Sequence, residues 1–106
     1  MILNVNDDYV VEEVTKAHIK KCIGKLKADK FAVLEKDDEN FMQIYIGDEP
    51  DDSVIEYHEG KLHFQSPMID VESTVKAFSL YLVENDKFQE CLPWMQAVIY
   101  EDEYED

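Results

Sequence analysis

Apolar and polar residues alternate along this chain with a helical period near its start, a strand period through its middle and a helical period again after residue 70. Residues 9–27 predict a helix in which Val11, Val14, Ile19, Cys22, Ile23 and Leu26 form an approximate 3.6-residue stripe. Asp8 is its expected cap, with Glu12 and Glu13 in the early turns and Lys20, Lys21, Lys25 and Lys27 in the second half, the distribution a helix dipole favours. The lysine face is most simply its wet side. Four strands follow. Residues 30–36 and 41–47 flank a turn at Asp37–Asn40; pairing residue 36 with 41 would put Phe31, Val33, Ile44 and Ile46 on one face. Residues 53–58 and 61–66 are joined by Glu59-Gly60, which sets Tyr57 opposite Leu62 and Ile55 opposite Phe64.

Residues 71–84 return to helix behind Asp70 as cap, and Val71, Val75, Phe78 and Leu82 give the stripe expected to cover the sheet. Asn85-Asp86 ends it, a short helix runs from Lys87 to Leu92, and Trp94 to Tyr100 is a final apolar segment suited to an edge strand. The expected fold is α+β: helix, four-stranded antiparallel meander, helix, with both helices on one face of the sheet. One domain over residues 1–100 and an acidic tail at 101–106 fit the length of 106 residues.

Charge changes this picture more than size does. Twenty-five acidic residues stand against ten lysines and no arginine, a net of −15. Residues 1–30 hold six lysines and five acids, whereas residues 31–106 hold four lysines and twenty acids. Direct binding to nucleic acid, which needs cations to displace phosphate counterions, is opposed by this balance, as is binding to anionic lipid. A basic protein partner would be attracted and its association accelerated at low salt. The acids cluster at Asp37-Asp38-Glu39, at Asp48-Glu49-Pro50-Asp51-Asp52 and from Glu101 to Asp106, where the plainest role is that of solvated turns and a solubilising tail. No apolar run approaches membrane-spanning length and the first residues carry no leader pattern, so a cytoplasmic location is expected. Cys22 and Cys91 stand in no metal or redox spacing, and their pairing is left open.

No catalytic residue and no cofactor is expected. His58-Glu59-Gly60-Lys61-Leu62-His63 approaches the zinc-protease signature, but its histidines are five apart rather than four and it falls on a hairpin, not a helix. A weaker arrangement remains: Glu56, His58 and His63 project from one strand face, where the plain alternative is an exposed polar face with a Glu56–His63 cross-strand pair. Asp48–Ser53 is acidic like a calcium loop but lacks its twelve-residue ligand spacing and central glycine. Tyr57, Phe64, Phe78 and Trp94 are expected in the core; for Phe41, Tyr45, Tyr81 and Tyr100 core or half-core packing is the expectation, with partial exposure beside acidic turns, as suits an interface, the alternative.

From Phe41-Met42-Gln43-Ile44 through Val54-Ile55-Glu56-Tyr57, Gly60, His63-Phe64 and the helix bearing Val75, Ala77, Phe78, Tyr81 and Leu82, to Phe88 and Trp94, the order of features resembles small bacterial immunity proteins encoded beside polymorphic or contact-dependent toxins. The likeness spans about half the chain through core-type positions. Phe88 stands where that family has a tryptophan, and the acidic Asp48–Asp52 turn replaces a glycine-rich one. The resemblance implies a cytosolic inhibitor that occupies or blocks a toxin's basic cleft, with Asp37, Asp38, Glu39, Asp48, Glu49, Asp51 and Asp52 as its acidic surface and Tyr45 as an anchor. An adaptor for another partner and an acidic mimic of nucleic acid are the alternatives that the charge allows.

Overall fold

A computed structural model of the chain describes residues 1–48 and 53–97. In chain order it contains β1 (Ile2–Val5), β2 (Tyr9–Val11), α1 (Lys16–Lys25), β3 (Lys30–Glu35), β4 (Asn40–Ile46), β5 (Val54–Glu59), β6 (Leu62–Pro67), α2 (Val71–Leu82), a 3₁₀-helix (Asp86–Glu90) and β7 (Met95–Gln96). The class is α+β, and the sheet is open, antiparallel and seven-stranded in the order β2-β1-β3-β4-β5-β6-β7, rather than four-stranded.

Of the two additional strands at the start, β1 precedes the expected opening helix, and β2 with the residues up to Thr15 replaces its first turns. Asn6 and Asp7 both adopt positive φ, 53° and 57°, and Asp8 donates its backbone N–H to the Val5 carbonyl at 2.9 Å. Two consecutive left-handed residues close a tight hairpin whose twist matches its strands. Asp8 is therefore a turn residue and not a helix cap. The helix starts at Lys16 behind Thr15, whose hydroxyl accepts from His18 N at 3.3 Å while His18 Nδ1 accepts from Thr15 N at 3.0 Å, a reciprocal capping box. Glu12 and Glu13 lie ahead of the helix. Ile19, Cys22 and Ile23 are its buried residues.

Both expected hairpins form with different registers. In the first, Glu35 pairs with Phe41, one residue from the expected alignment, so the buried face carries Ala32, Leu34, Met42 and Ile44. The slip comes from the turn: Asn40 O accepts from both Lys36 N and Asp37 N, and Asp37 Oδ1 accepts from Glu39 N and Asn40 N. In the second, Tyr57 pairs with Phe64 and Glu59 with Leu62, so the loop is Gly60-Lys61 and not Glu59-Gly60. Gly60 takes φ 62° at the first loop position, as a two-residue turn of this kind requires. This shift is by two residues and leaves each side chain on its expected face.

One side of the sheet is covered. Leu3, Val5, Ala32, Leu34, Met42, Ile44, Ile55 and Tyr57 form a single buried cluster with Ile19, Cys22 and Ile23 of α1 and Ala77, Phe78 and Tyr81 of α2. Both helices thus share one face. Asp70 caps α2 as expected, accepting from Ser73 N, but the helix is rotated from the expected stripe: Thr74, Ala77, Phe78 and Tyr81 point inward, and Val71 is exposed. Thr74 can be buried because its hydroxyl donates to the Asp70 carbonyl at 2.8 Å. Cys22 and Cys91 are free thiols. No described helix is long and apolar enough to cross a membrane.

Candidate functional site: the open face of the sheet

Cross-strand pairing assigns the other face residue by residue. One row runs Val10, Asn4, Val33, Gln43, Glu56, Gln65 and Met95 across all seven strands. A second runs Ile2, Glu35, Phe41, His58 and His63, and a third Phe31, Tyr45, Val54 and Pro67. None of these residues is buried, and Ile2, Val10, Tyr45 and Met95 are exposed apolar groups. Among these strand positions there is no lysine, and the only charged residues besides histidine are Glu35 and Glu56. Four lysines, Lys16, Lys20, Lys21 and Lys25, ride on α1, on the opposite side of the sheet. The α1 lysines therefore face away from the open strands, while acidic groups such as Glu59, Glu84 and Asp86 share the covered side with them.

Over β4, β5 and β6 on this face lies a polar cluster. Phe41 stacks on His58 with ring centroids 4.2 Å apart, and His58 faces His63 across the ladder at 3.5 Å. Glu56 Oε1 lies 3.5 Å from His63 Nε2, while Glu56 Oε2 accepts a hydrogen bond from Gln43 Nε2. The donor atoms of Glu56, His58 and His63 all lie within 4.8 Å of one another. Neither His58 Nε2 nor His63 Nε2 has a hydrogen-bond partner, although both atoms are buried. Burial, reinforced by the neighbouring His63 and opposed by Glu56, holds the His58 imidazole below its ordinary pKa. The expected shared face of these three residues is present, with the Glu56–His63 contact running diagonally rather than directly across.

The acidic residues expected to meet a partner lie at the two ends of β4. Asp37, Asp38 and Glu39 are exposed in the β3–β4 turn, and Asp48 is exposed just beyond the far end of β4. Seven strand residues separate the two groups, roughly 23 Å of extended chain. Asp37 is a structural member of its turn: side-chain bonds from Asn40, with backbone donors from Glu39 and Asn40, hold its carboxyl below the usual range. Tyr45 projects from the open face between the two turns and donates its hydroxyl to Asp29 Oδ1 at 3.0 Å. Glu49, Asp51 and Asp52, like the tail at 101–106 and Tyr100, lie outside the described residues.

A separate cleft opens on the covered side, lined by Lys36, Asn40, Glu59, Tyr81, Glu84 and Asp86, with a volume of about 360 Å³. Lys36 pairs with Glu84 at 2.6 Å across its mouth, and the buried Tyr81 hydroxyl has no hydrogen-bond partner. Tyr81 belongs to the core, the packing expected of it ahead of partial exposure.

No protein-family model matches this chain, and neither curated proteins nor solved structures show significant similarity to it.

Proposed function

We propose that this chain is a small acidic binding protein of the immunity or inhibitor type, which neutralises a toxin by seating its open sheet face against a cationic surface or cleft. The observation that carries the reading is the open face, whose strand positions hold no lysine and are half apolar, with carboxylates at both ends of β4 in a protein of net charge −15. Apolar side chains such as Phe31, Val33 and Tyr45 supply area that excludes water, and those carboxylates attract a basic partner and set its approach. A nuclease toxin, which needs cations to hold phosphate, presents the complementary charge. Mimicry of nucleic acid is less well supported, because the open strands carry only Glu35 and Glu56 while the other carboxylates gather in turns rather than at regular phosphate-like intervals.

The test is affinity capture at low and high salt from the source cells, followed by an inhibition assay of the captured protein. The expected partner is a basic toxin domain that the purified chain inhibits, with binding weakened by salt and by Val33→Lys at the middle of the open face. Retention of full affinity in Val33→Lys, together with loss of affinity when the α1 lysines are replaced by glutamine, would overturn the assignment of the surface. A partner that is not inhibited would point to an adaptor instead.

A further inference from the structure

We infer that Glu56, His58 and His63 form a binding site for one divalent transition-metal ion of the zinc type on the open face of the sheet. Two imidazoles and one carboxylate are the donor set that zinc accepts at sites with three protein ligands, the fourth position being left to water. The three residues come from adjacent strands, β5 and β6, whose pairing places His58 directly opposite His63 and Glu56 one step along the same face. Zinc–nitrogen bonds of ~2.0–2.1 Å in tetrahedral geometry place neighbouring donors about 3.4 Å apart. Glu56 Oε1 and His63 Nε2 already stand at 3.5 Å, and the whole donor set falls within 4.8 Å, so side-chain rotation suffices to close it.

Two further observations point to a ligand rather than to a polar surface patch. His58 Nε2 is buried without a hydrogen-bond partner, and His63 Nε2, also buried, makes no hydrogen bond and has only Glu56 Oε1 at 3.5 Å, an arrangement that folded proteins normally avoid and that a shared cation would satisfy. The flanking residues also restrain the donors: Gln43 engages Glu56 Oε2 and leaves Oε1 directed at His63, and the Phe41 ring fixes the plane of His58. Support of this kind, from neighbours mounted on rigid strands, is what orients metal ligands.

The experiment uses the whole chain and zinc chloride alone, without a protein partner, so its outcome is independent of the docking reading. Calorimetric titration should give one ion per chain, and a hundredfold excess over Kd should raise Tm by roughly 10 °C or more. In ¹⁵N-imidazole NMR of the unmodified chain, zinc should shift the Nε2 resonances of His58 and His63 and leave those of His18, at the start of α1, in place. His58→Ala and His63→Ala should each abolish the one-to-one binding, His18→Ala should not alter it, and Gln43→Ala should weaken it about 10-fold. Absence of saturable binding at millimolar zinc would overturn the site. So would binding undiminished in the His58→Ala/His63→Ala double variant, which would assign the ion to surface carboxylates. The NMR readout needs no variant and decides the matter even if a substitution disturbs folding.

Discussion

Tyr57 lies opposite Phe64 in the β5–β6 ladder, and their rings stack with centroids 4.7 Å apart at an interplanar angle of 14°. Phe88 and Trp94 meet the same Tyr57 ring edge-on at 5.0 Å and 4.6 Å, so one strand residue joins the sheet to the segment that follows α2. Trp94 is fixed there by its indole N–H, which donates to the Phe88 carbonyl at 3.1 Å. Truncating a buried aromatic at such a junction costs both transfer energy and a cavity. Tyr57→Ala should therefore lower stability by about 3–5 kcal/mol. Urea unfolding followed by fluorescence checks this directly, because Trp94 is the sole tryptophan and reports on the altered cluster.

Alkaline conditions should loosen the same region. Burial, with Glu59 adding to it, pushes the Tyr57 phenol up to about 12, and burial with Glu59, Asp37 and Glu84 does the same for Tyr81, also to about 12. A phenol whose pKa is raised in the folded state ionises more readily once unfolded. Its contribution is complete below the ordinary value of 10.0 and is lost as pH rises toward 12. Tm should fall across that window, and phenolate absorbance should rise together with unfolding rather than before it. Tyr57→Phe and Tyr81→Phe combined should flatten the decline.

Tyr81 also carries a cost at neutral pH. Its hydroxyl is buried beside the Lys36–Glu84 cleft without a partner. An unsatisfied buried hydroxyl costs on the order of 1–3 kcal/mol, whereas the ring makes an edge contact with Phe88 at 5.3 Å that phenylalanine keeps. Tyr81→Phe should thus raise stability by about 1 kcal/mol, seen as a Tm increase of roughly 4–8 °C in a domain of this size. A loss of stability would mean that the hydroxyl is hydrated through the cleft.

The features that the sequence makes legible are those in which local chemistry and long-range packing agree. Asp70 and the apolar run behind it define α2, and alternation places Ile55, Tyr57 and Phe64 on one face with Glu56, His58 and His63 on the other. That second set survives the register error because a two-residue shift preserves face. A one-residue error does not: in β3–β4 the Asp37-centred turn, invisible to periodicity, exchanges Phe31 and Val33 for Ala32 and Leu34 in the core. The opening hairpin was signalled by alternating Leu3 and Val5 before Asn6-Asp7, and Tyr9-Val10-Val11 favours strand over helix. Val11 and Val14 also fit a helical stripe with Ile19 and Cys22, so periodicity alone does not separate strand from helix here. The expected placement of both helices on one face already sets the α1 lysines opposite the uncovered strands; what no local pattern could reveal is that β1, β2 and β7 extend that open face, since this depends on the full strand order.

Gly24 and Gly60 should respond to alanine with opposite signs. Gly24 sits inside α1 without positive φ, and a methyl group added there would meet nothing within 4 Å. Gly24→Ala removes backbone freedom from the unfolded chain and should stabilise by about 0.5–1 kcal/mol. Gly60 is equally open to a methyl group, but its φ of 62° is a conformation alanine resists. Gly60→Ala should destabilise by about 1 kcal/mol through the backbone alone. Paired thermal melts of the two variants distinguish conformational cost from steric cost, because neither site offers a clash.

The β3–β4 turn separates structure from recognition within three consecutive acids. Asp37 winds the turn by accepting from Glu39 N, Asn40 N and Asn40 Nδ2, whereas the Asp38 and Glu39 carboxylates make no hydrogen bond or ion pair among the described residues. Asp37→Ala should lower Tm, and because the native pKa of Asp37 is depressed, its contribution should be present above the ordinary value of 3.8 and be lost as pH falls below it through the lowered native value. Asp38→Lys/Glu39→Lys should leave Tm unchanged. If these turn acids steer a basic partner, that same double variant should slow association and flatten its dependence on salt while barely altering dissociation, the signature of a charge at the edge of an interface. An unchanged association rate with lowered Tm would assign Asp38 and Glu39 to the fold and leave steering to the far end of β4.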